Sequence, residues 1–374
     1  MTLKIARVEV FVYRAPIQTP VQTSFGIMRD RPAVFVRVTD VDGNAGWGEI
    51  WCNFPAVGAE HRARLVDSVF APLLQDNSFA SPEAAFHALT GRTAVLAIQA
   101  AEPGPVAQCI AGIDIAMWDL HAQRLKQPLW RLLGAVNPQI PVYASGLNPA
   151  APETLAKQRH AEGYRAFKLK VGFGAERDLA NLRALRTALG DCELMADANQ
   201  GWDLATALQM AKAFEPFNLR WLEEPLRADR SWQEWQQLAR HSTTPLAAGE
   251  NLAGLDAFDA ALASDAISVV QPDIAKWGGF TGGITVARKI LAAGKRYCPH
   301  YLGAGIGLLA SAHLLAAAGG DGKLEVDANP NPLRTMTCGP LARITEGTAT
   351  LADAPGLGIT PDLDALRGFL VTAH

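Results

Sequence analysis

Eight short apolar segments recur through the middle of the chain: IPVYAS, FKLKVG, ELMADAN, LRWLEEP, PLAAGEN, AISVVQPD, YCPHYL and KLEVDAN. Helix-like stretches such as ERDLANLRALRTALG and LATALQMAKAFE separate them. Each segment is too short for a buried helix and is bounded by turn residues, which argues for a strand. Strands that alternate with helical crossovers lie parallel, and eight of them in succession read as a (β/α) barrel.

The residues that end these strands are charged. Lys170 closes the second, Asp197 the third, Glu223 the fourth, Glu250 the fifth, Asp273 the sixth, His300 the seventh and Glu325 the eighth. They follow one another at intervals of about 25 residues, one strand and one helix each. In a parallel barrel such residues converge on one mouth, where active sites form. A single Asp after a strand is more often a helix cap or a solvated charge. Seven in register require a common purpose, because burying ions at one rim costs several kcal/mol each, on the order of magnitude known for proteins, unless a metal or partner offsets it.

Residue type then narrows the chemistry. Asp197, Glu223 and Glu250 offer hard oxygen donors on successive strands, which suits Mg²⁺, and the absence of thiolate or imidazole among them argues against zinc. Lys168 and Lys170 lie on one strand face, so each cation disfavours protonation of the other and one amine becomes a usable base. Asp273 and His300 end neighbouring strands, and a carboxylate there can orient the imidazole as a second acid or base. Glu325 can hydrogen-bond a substrate carboxylate, in its protonated form if its surroundings are apolar.

The first part of the chain has a different rhythm. Residues 3–12 and 33–39 read as strands, Asp42-Gly43-Asn44 as a turn, and residues 46–50 as a third strand. Residues 59–75, 81–90 and 105–126 read as helices. We therefore expect an α+β domain over residues 1–135, a barrel over 136–330, and a segment 331–374 that packs back on the first domain.

Lys and Arg total 34 against 37 Asp and Glu, a net charge of −3 with no run of one sign. Neither a nucleic-acid nor a membrane-surface partner is expected. Residues 301–320 lack any Asp, Glu, Lys or Arg. That stretch is glycine-rich, contains His313 and falls inside the strand–helix repeat, so we expect a buried barrel helix rather than a membrane span. The five cysteines have no ligand spacing and the N-terminal run is charged, which favours a reducing cytoplasm over a secreted, disulfide-bonded state.

The segments FKLKVG, MADANQ, WLEEP, AAGEN, QPDIAKWGG, CPHYLGAG and LEVD, with DGNAGWGE and GIDIAMWDLHAQRLKQPLWRLLG before them, resemble the enolase superfamily and its mandelate racemase branch over nearly the whole chain. The resemblance implies an α/β fold: a modified TIM barrel, (β/α)7β, with an N-terminal α+β capping domain completed by the C-terminal segment. It implies Asp197, Glu223 and Glu250 as Mg²⁺ ligands and Lys170, assisted by Lys168, as the base on one face of the substrate. His300, held by Asp273, would serve the other face, and Glu325 would contact the developing enolate. Asp273 in place of a lysine base, with a histidine on the next strand, points to this branch rather than to the muconate-lactonizing one. Lys276 is common to both, and Lys276 and Asn199 are expected at the substrate.

In such proteins capping loops set specificity. Here these are residues 18–31 and 51–55, which offer Gln22, Thr23, Ser24, Arg29 and Asn53 beside Phe25, Trp51 and Phe54. Ser24, Arg29, Trp51 and Asn53 are the expected contacts, and amides and hydroxyls with an arginine suit a polyhydroxylated or dicarboxylic substrate. The expected activity is removal of the proton α to a carboxylate, followed by dehydration of an acid sugar to a 2-keto-3-deoxy acid. A sugar-lactone cycloisomerase or a racemase would use the same residues. A binding protein for sugar acids would need neither Lys170 nor His300. The expected partner is a small carboxylate, a sugar acid or lactone, and relatives of this kind form homo-oligomers.

Overall fold

The computed structural model describes residues 2–374. Strands β1 (Leu3–Gln22), β2 (Ile27–Asp40) and β3 (Ala45–Ile50) form an antiparallel meander, and β4 (Ser78–Phe79) adds to β1. The helix Pro103–Leu125 lies on this sheet, and the glycines of the GWG run explain how closely. A Cβ on Gly48 would stand 1.9 Å from the Gly112 carbonyl oxygen, and one on Gly46 2.2 Å from that of Ala116. Only glycine lets sheet and helix backbones approach in this way.

The hairpin differs from the expectation for residues 18–31. Both strands continue to a turn at residues 23–26, with Val21 opposite Met28 and Gln22 opposite Ile27. The reason is pairing itself: once β-branched segments set the ladder, backbone hydrogen bonds carry polar residues of low strand preference along with it. The second expected helix is also longer than its sequence signal, running Pro82–Gln99 from an N-cap in which Ser81 accepts from the Ala84 N–H.

Eight parallel strands follow. They are β5 (Gln139–Leu147), β6 (Ala166–Lys170), β7 (Glu193–Asp197), β8 (Leu222–Glu223), β9 (Leu246–Ala248), β10 (Val269–Val270), β11 (Arg296–Tyr297) and β12 (Leu324–Asp327), ordered β11-β10-β9-β8-β7-β6-β5-β12. This is the curled sheet of a modified TIM barrel. β13 (Thr348–Thr350) pairs antiparallel with β5, and β14 (Leu370–Ala373) pairs antiparallel with β1, so the end of the chain touches both sheets.

Tyr143, Ala166, Met195, Trp221, Ala247, Val269 and Cys298 cluster as an apolar plug inside the barrel. Strand alternation turns the residue two positions later to the same side. Those residues are Ser145, Lys168, Asp197, Glu223, Gly249, Gln271 and His300. A polar layer thus sits directly above an apolar one. At Gly249 a Cβ would fall 2.5 Å from the Gln271 nitrogen, and φ is +150°, so on that strand the carboxylate comes one residue later, at Glu250.

The uncharged stretch forms the buried barrel helix Gly305–Ala318, and no described helix is long and apolar enough to cross a membrane. Cap and barrel meet through buried carboxylates. Glu49 accepts from the N–H groups of Ala304 (2.6 Å) and Gly307 (2.9 Å) at the start of that helix. Asp114 accepts from the Thr281 N–H (2.9 Å) and hydroxyl (2.6 Å) at the start of the helix Gly279–Ala292. Asp119 ties Trp47 to Leu357 through their N–H groups at 2.8 and 2.7 Å. Helix N-termini favour such acceptors, yet burial pushes all three carboxyls up to about 7.

Candidate active site

Lys170, Asp197 and Glu223 are successive register partners across β6, β7 and β8, and Asp273 bridges directly to His300 at the ends of β10 and β11. Every expected strand-end residue is therefore at one mouth. Lys168 Nζ donates to both Glu223 oxygens at 2.7 and 2.6 Å and stands 2.7 Å from Glu325. Lys170 Nζ lies 2.5 Å from Asp197, and Lys276 Nζ lies 2.6 Å from Glu250. His300 Nδ1 donates to Asp273 at 2.7 Å, which leaves Nε2 facing Glu250 at 3.2 Å.

Two electrostatic expectations are corrected by these contacts. Burial works to lower both lysines, but the facing carboxylates outweigh it and outweigh the repulsion between Lys168 and Lys170. Lys168 rises well above its ordinary value through Glu223 and Glu325, and Lys170 rises through Asp197. Glu325 is not kept neutral: burial favours its protonation, but Lys168 and His300 hold it below the usual carboxylate range. His300 is raised to about 9, because Glu250, Glu325 and Asp273 overcome its burial. Glu223 goes up to about 7 through burial, although Lys168 opposes the shift.

Residues without charge complete the network, and sequence reading had not singled them out. Gln271 Nε2 donates to Glu223 at 2.6 Å and Trp221 Nε1 donates to the same oxygen at 3.2 Å. The Ser145 hydroxyl and the Tyr301 N–H donate to Glu325. Asn251 donates to Glu224 at 2.8 Å and accepts from Lys276 at 3.2 Å. The one available signal was position: Gln271 precedes Asp273 by two residues and so shares its face.

The mouth opens on a cavity of about 240 Å³. From the barrel it is lined by Lys170, Asn199, Gln200, Glu250, Asn251, Lys276, His300 and Leu302, and from the cap by Thr23, Phe25, Met28, Trp51, Asn53 and Phe54. Asn53 donates to the Leu302 carbonyl at 2.5 Å, and the Lys276 ammonium sits 4.7 Å from the centre of the Trp51 ring. Ser24 is not in the lining. Its hydroxyl instead donates to the Asn199 backbone oxygen at 2.7 Å, tying the hairpin tip to the end of β7. Arg29 is exposed and also outside the cavity, because its neighbour Met28 takes the inward position on β2.

Asn199, Gln200 and Glu224 hold φ of +44°, +65° and +39°, a strained backbone for residues with side chains. The Asn199 amide donates to Asp197 at 3.0 Å, while its buried Oδ1 has no partner. Among the described residues no three acidic, histidine or cysteine side chains close around one point; Lys168, Lys170 and Lys276 stand against Glu223, Asp197 and Glu250. In kind and in strand order, Asp197, Glu223 and Glu250 nevertheless fit a hard divalent cation, and the free acceptor on Asn199 lies beside them.

Comparison with known proteins bears on the whole chain. The family model described as mandelate racemase / muconate lactonizing enzyme, N-terminal domain, matches residues 6–134, and the model described as enolase C-terminal domain-like matches residues 151–365. The chain is 31% identical to a 3,6-anhydro-alpha-L-galactonate cycloisomerase of Streptomyces coelicolor, over 97% of this chain and 98% of that protein. It is 34% identical to an L-talarate/galactarate dehydratase of Salmonella typhimurium, over 72% of this chain and 67% of that protein. A crystal structure of a mandelate racemase/muconate lactonizing enzyme from Bordetella bronchiseptica superposes with a TM-score of 0.94 at 58% identity, covering 98% of this chain and 99% of that one. A Streptomyces coelicolor racemase solved with bound magnesium superposes with a TM-score of 0.89 at 31% identity, covering 98% of this chain and 100% of that one.

Proposed function

The chain belongs to the mandelate racemase/muconate lactonizing enzyme family of the enolase superfamily, and on that premise we propose that it removes the proton α to the carboxylate of a sugar acid and expels the β-oxygen. One observation carries the proposal. Lys170 and His300 line the same cavity from strands β6 and β11, which have β7–β10 between them on one side and β5 and β12 on the other. A substrate there has a basic group on each face.

Asp197, Glu223 and Glu250 would hold Mg²⁺, which would supply positive charge for a carboxylate that gains electrons and would offset the carboxylate charge that raises Lys168 and Lys170 in its absence. Lys170 Nζ accepts the α-proton. The electron pair left on Cα forms a double bond to Cβ as the Cβ–O bond breaks. His300, fixed through Nδ1 by Asp273, gives the proton on Nε2 to the departing oxygen. Asp273 beside Nδ1 favours the charged imidazolium, which suits it to be the acid. Glu325, anchored by Ser145 and the Tyr301 N–H, faces the substrate carboxylate.

If the departing oxygen is a free hydroxyl, water leaves and the enol becomes a 2-keto-3-deoxy acid. If it belongs to a ring, the ring opens and nothing is lost, which is a cycloisomerisation; full-length similarity to a cycloisomerase keeps that outcome beside dehydration. Incubation in D₂O with Mg²⁺ and a panel of sugar acids tests the proposal. A semicarbazide-reactive 2-keto acid carrying solvent deuterium at Cβ, where the enol takes up its proton, is the expected result. An epimer without keto acid would replace elimination by epimerisation, and neither exchange nor keto acid from any sugar acid sinks the proposal.

A further inference from the structure

We infer that the substrate carries a single carboxylate, its far end being an uncharged hydroxylated body set against the aromatic cap wall. The inference rests on the sugar-acid reading above and narrows it. Three observations meet here: which cations reach the cavity, what faces them across it, and where Arg29 points.

The cavity sees three cationic side chains, Lys170, Lys276 and His300, all at the barrel end. Lys170 and Lys276 face Asp197 and Glu250, the carboxylates that would hold Mg²⁺, and His300 faces Asp273, so all three cations belong to the reacting end. The cap residues of the lining, Thr23, Phe25, Met28, Trp51, Asn53 and Phe54, carry no charge. Phe25 and Phe54 stand edge to face with centroids 5.1 Å apart and present carbon surface to the cavity. The amides beside them are half used: Asn53 spends its N–H on Leu302, and Gln200 spends its oxygen on the Ala228 N–H at 2.8 Å. Hydroxyls can use the remaining acceptor and donor, but neither neutralises an anion.

Arg29 was the group able to clamp a second carboxylate, and it is exposed on the far side of Met28. A second carboxylate would therefore have to leave water for apolar rings, of which Phe25 is 62% exposed before anything binds, with no counter-charge to receive it, a loss of about 100-fold or more in transition-state binding. At about 240 Å³ the space is also below the ~300–1,000 Å³ of drug-sized ligand sites, which favours a compact acid.

The test pairs six-carbon aldonic acids, open and 3,6-anhydro, with the aldaric acids of the same configuration, on the Mg²⁺-loaded protein. Formation of the semicarbazide-reactive keto acid gives kcat/KM, and calorimetry gives binding. Aldonic acids are expected to be preferred at least ~100-fold. Thr23→Arg, which places a cation on the cap wall, should narrow that ratio about tenfold or more, and Arg29→Ala should leave both acids unchanged. Equal or better turnover of aldaric acids by the native protein, or selective loss of their turnover in Arg29→Ala, overturns the inference while proton abstraction stands. If no acid exchanges or yields keto acid, tighter binding of the monoacids keeps the inference and removes proton abstraction. Binding that favours diacids, or binding of neither, overturns the inference.

Discussion

At the barrel mouth, buried carboxylates meet cations: Glu223 faces Lys168, Asp197 faces Lys170, Glu250 faces Lys276 and Asp273 faces His300. Along the seam between cap and barrel, Glu49, Asp114 and Asp119 meet backbone N–H groups and hydroxyls and no cation among those bonds. The residue types and the burial are alike in both places. The difference lies in what the partner can do. An ammonium or imidazolium can give up a proton, so the mouth can redistribute charge during a reaction. A backbone amide cannot, so the seam can only hold two elements in place.

That comparison can be broken from either side. Lys170→Ala should lower α-proton exchange on one face of the substrate by about 10³-fold or more, the scale of a positioned base. Deuterium incorporation resolved by stereochemistry measures it, and near-native exchange in this variant would remove Lys170 from the reaction. Asp273→Asn should cost about 100-fold in the step served by His300 and spare exchange that depends on Lys170. An equal loss on both faces would mean that Asp273 holds the mouth together instead of orienting one imidazole.

On the seam, Glu49→Leu leaves the Ala304 and Gly307 N–H groups without acceptors and should cost about 2 kcal/mol by urea unfolding. The seam also sets a pH dependence. Its carboxyls are raised to about 7 in the folded protein, above their unfolded values near 4, so the folded state holds the extra protons. The stability they contribute is complete below about pH 4 and is lost as the pH rises through about 7. The urea midpoint should accordingly be lower at about pH 8 than at about pH 5, with a smaller difference in Glu49→Gln. A midpoint that rises with pH would contradict this assignment. The smallest effect is expected for Ser24→Ala, which frees the hairpin tip from Asn199: about 1 kcal/mol, read as a several-fold higher KM with kcat retained.

The strand-end series was legible because two periodicities coincide in it. The barrel repeat spaces the residues, and the alternation of a strand selects which one faces inward, so Lys168, Lys170, Asp197, Glu223, Asp273, His300 and Glu325 could be placed without coordinates. Gln271, Trp221 and Ser145 escaped notice because an uncharged residue acquires its role only from its partner. Gln271 and Glu223 are 48 residues apart. The hairpin was misjudged because its outer half is made by pairing rather than by preference, and with it went the orientation of Arg29 and Ser24. The direction of the lysine shifts was misjudged for a related reason. Two lysines on one strand are visible to each other in sequence, whereas the carboxylates that overrule their repulsion come from other strands.

By itself, then, the sequence determined the barrel, the polar layer at its mouth and the inventory of bases and hard donors there. These follow from local rules: apolar runs of strand length, helical crossovers between them, and residue type at a repeated position. Only the tertiary structure decided which charges face one another, which cap residues reach the cavity, and that those cap residues bring no cation to it. Those are matters of distance between segments remote in the chain, and in a buried site distance and exposure, rather than composition, set the energy of a charge.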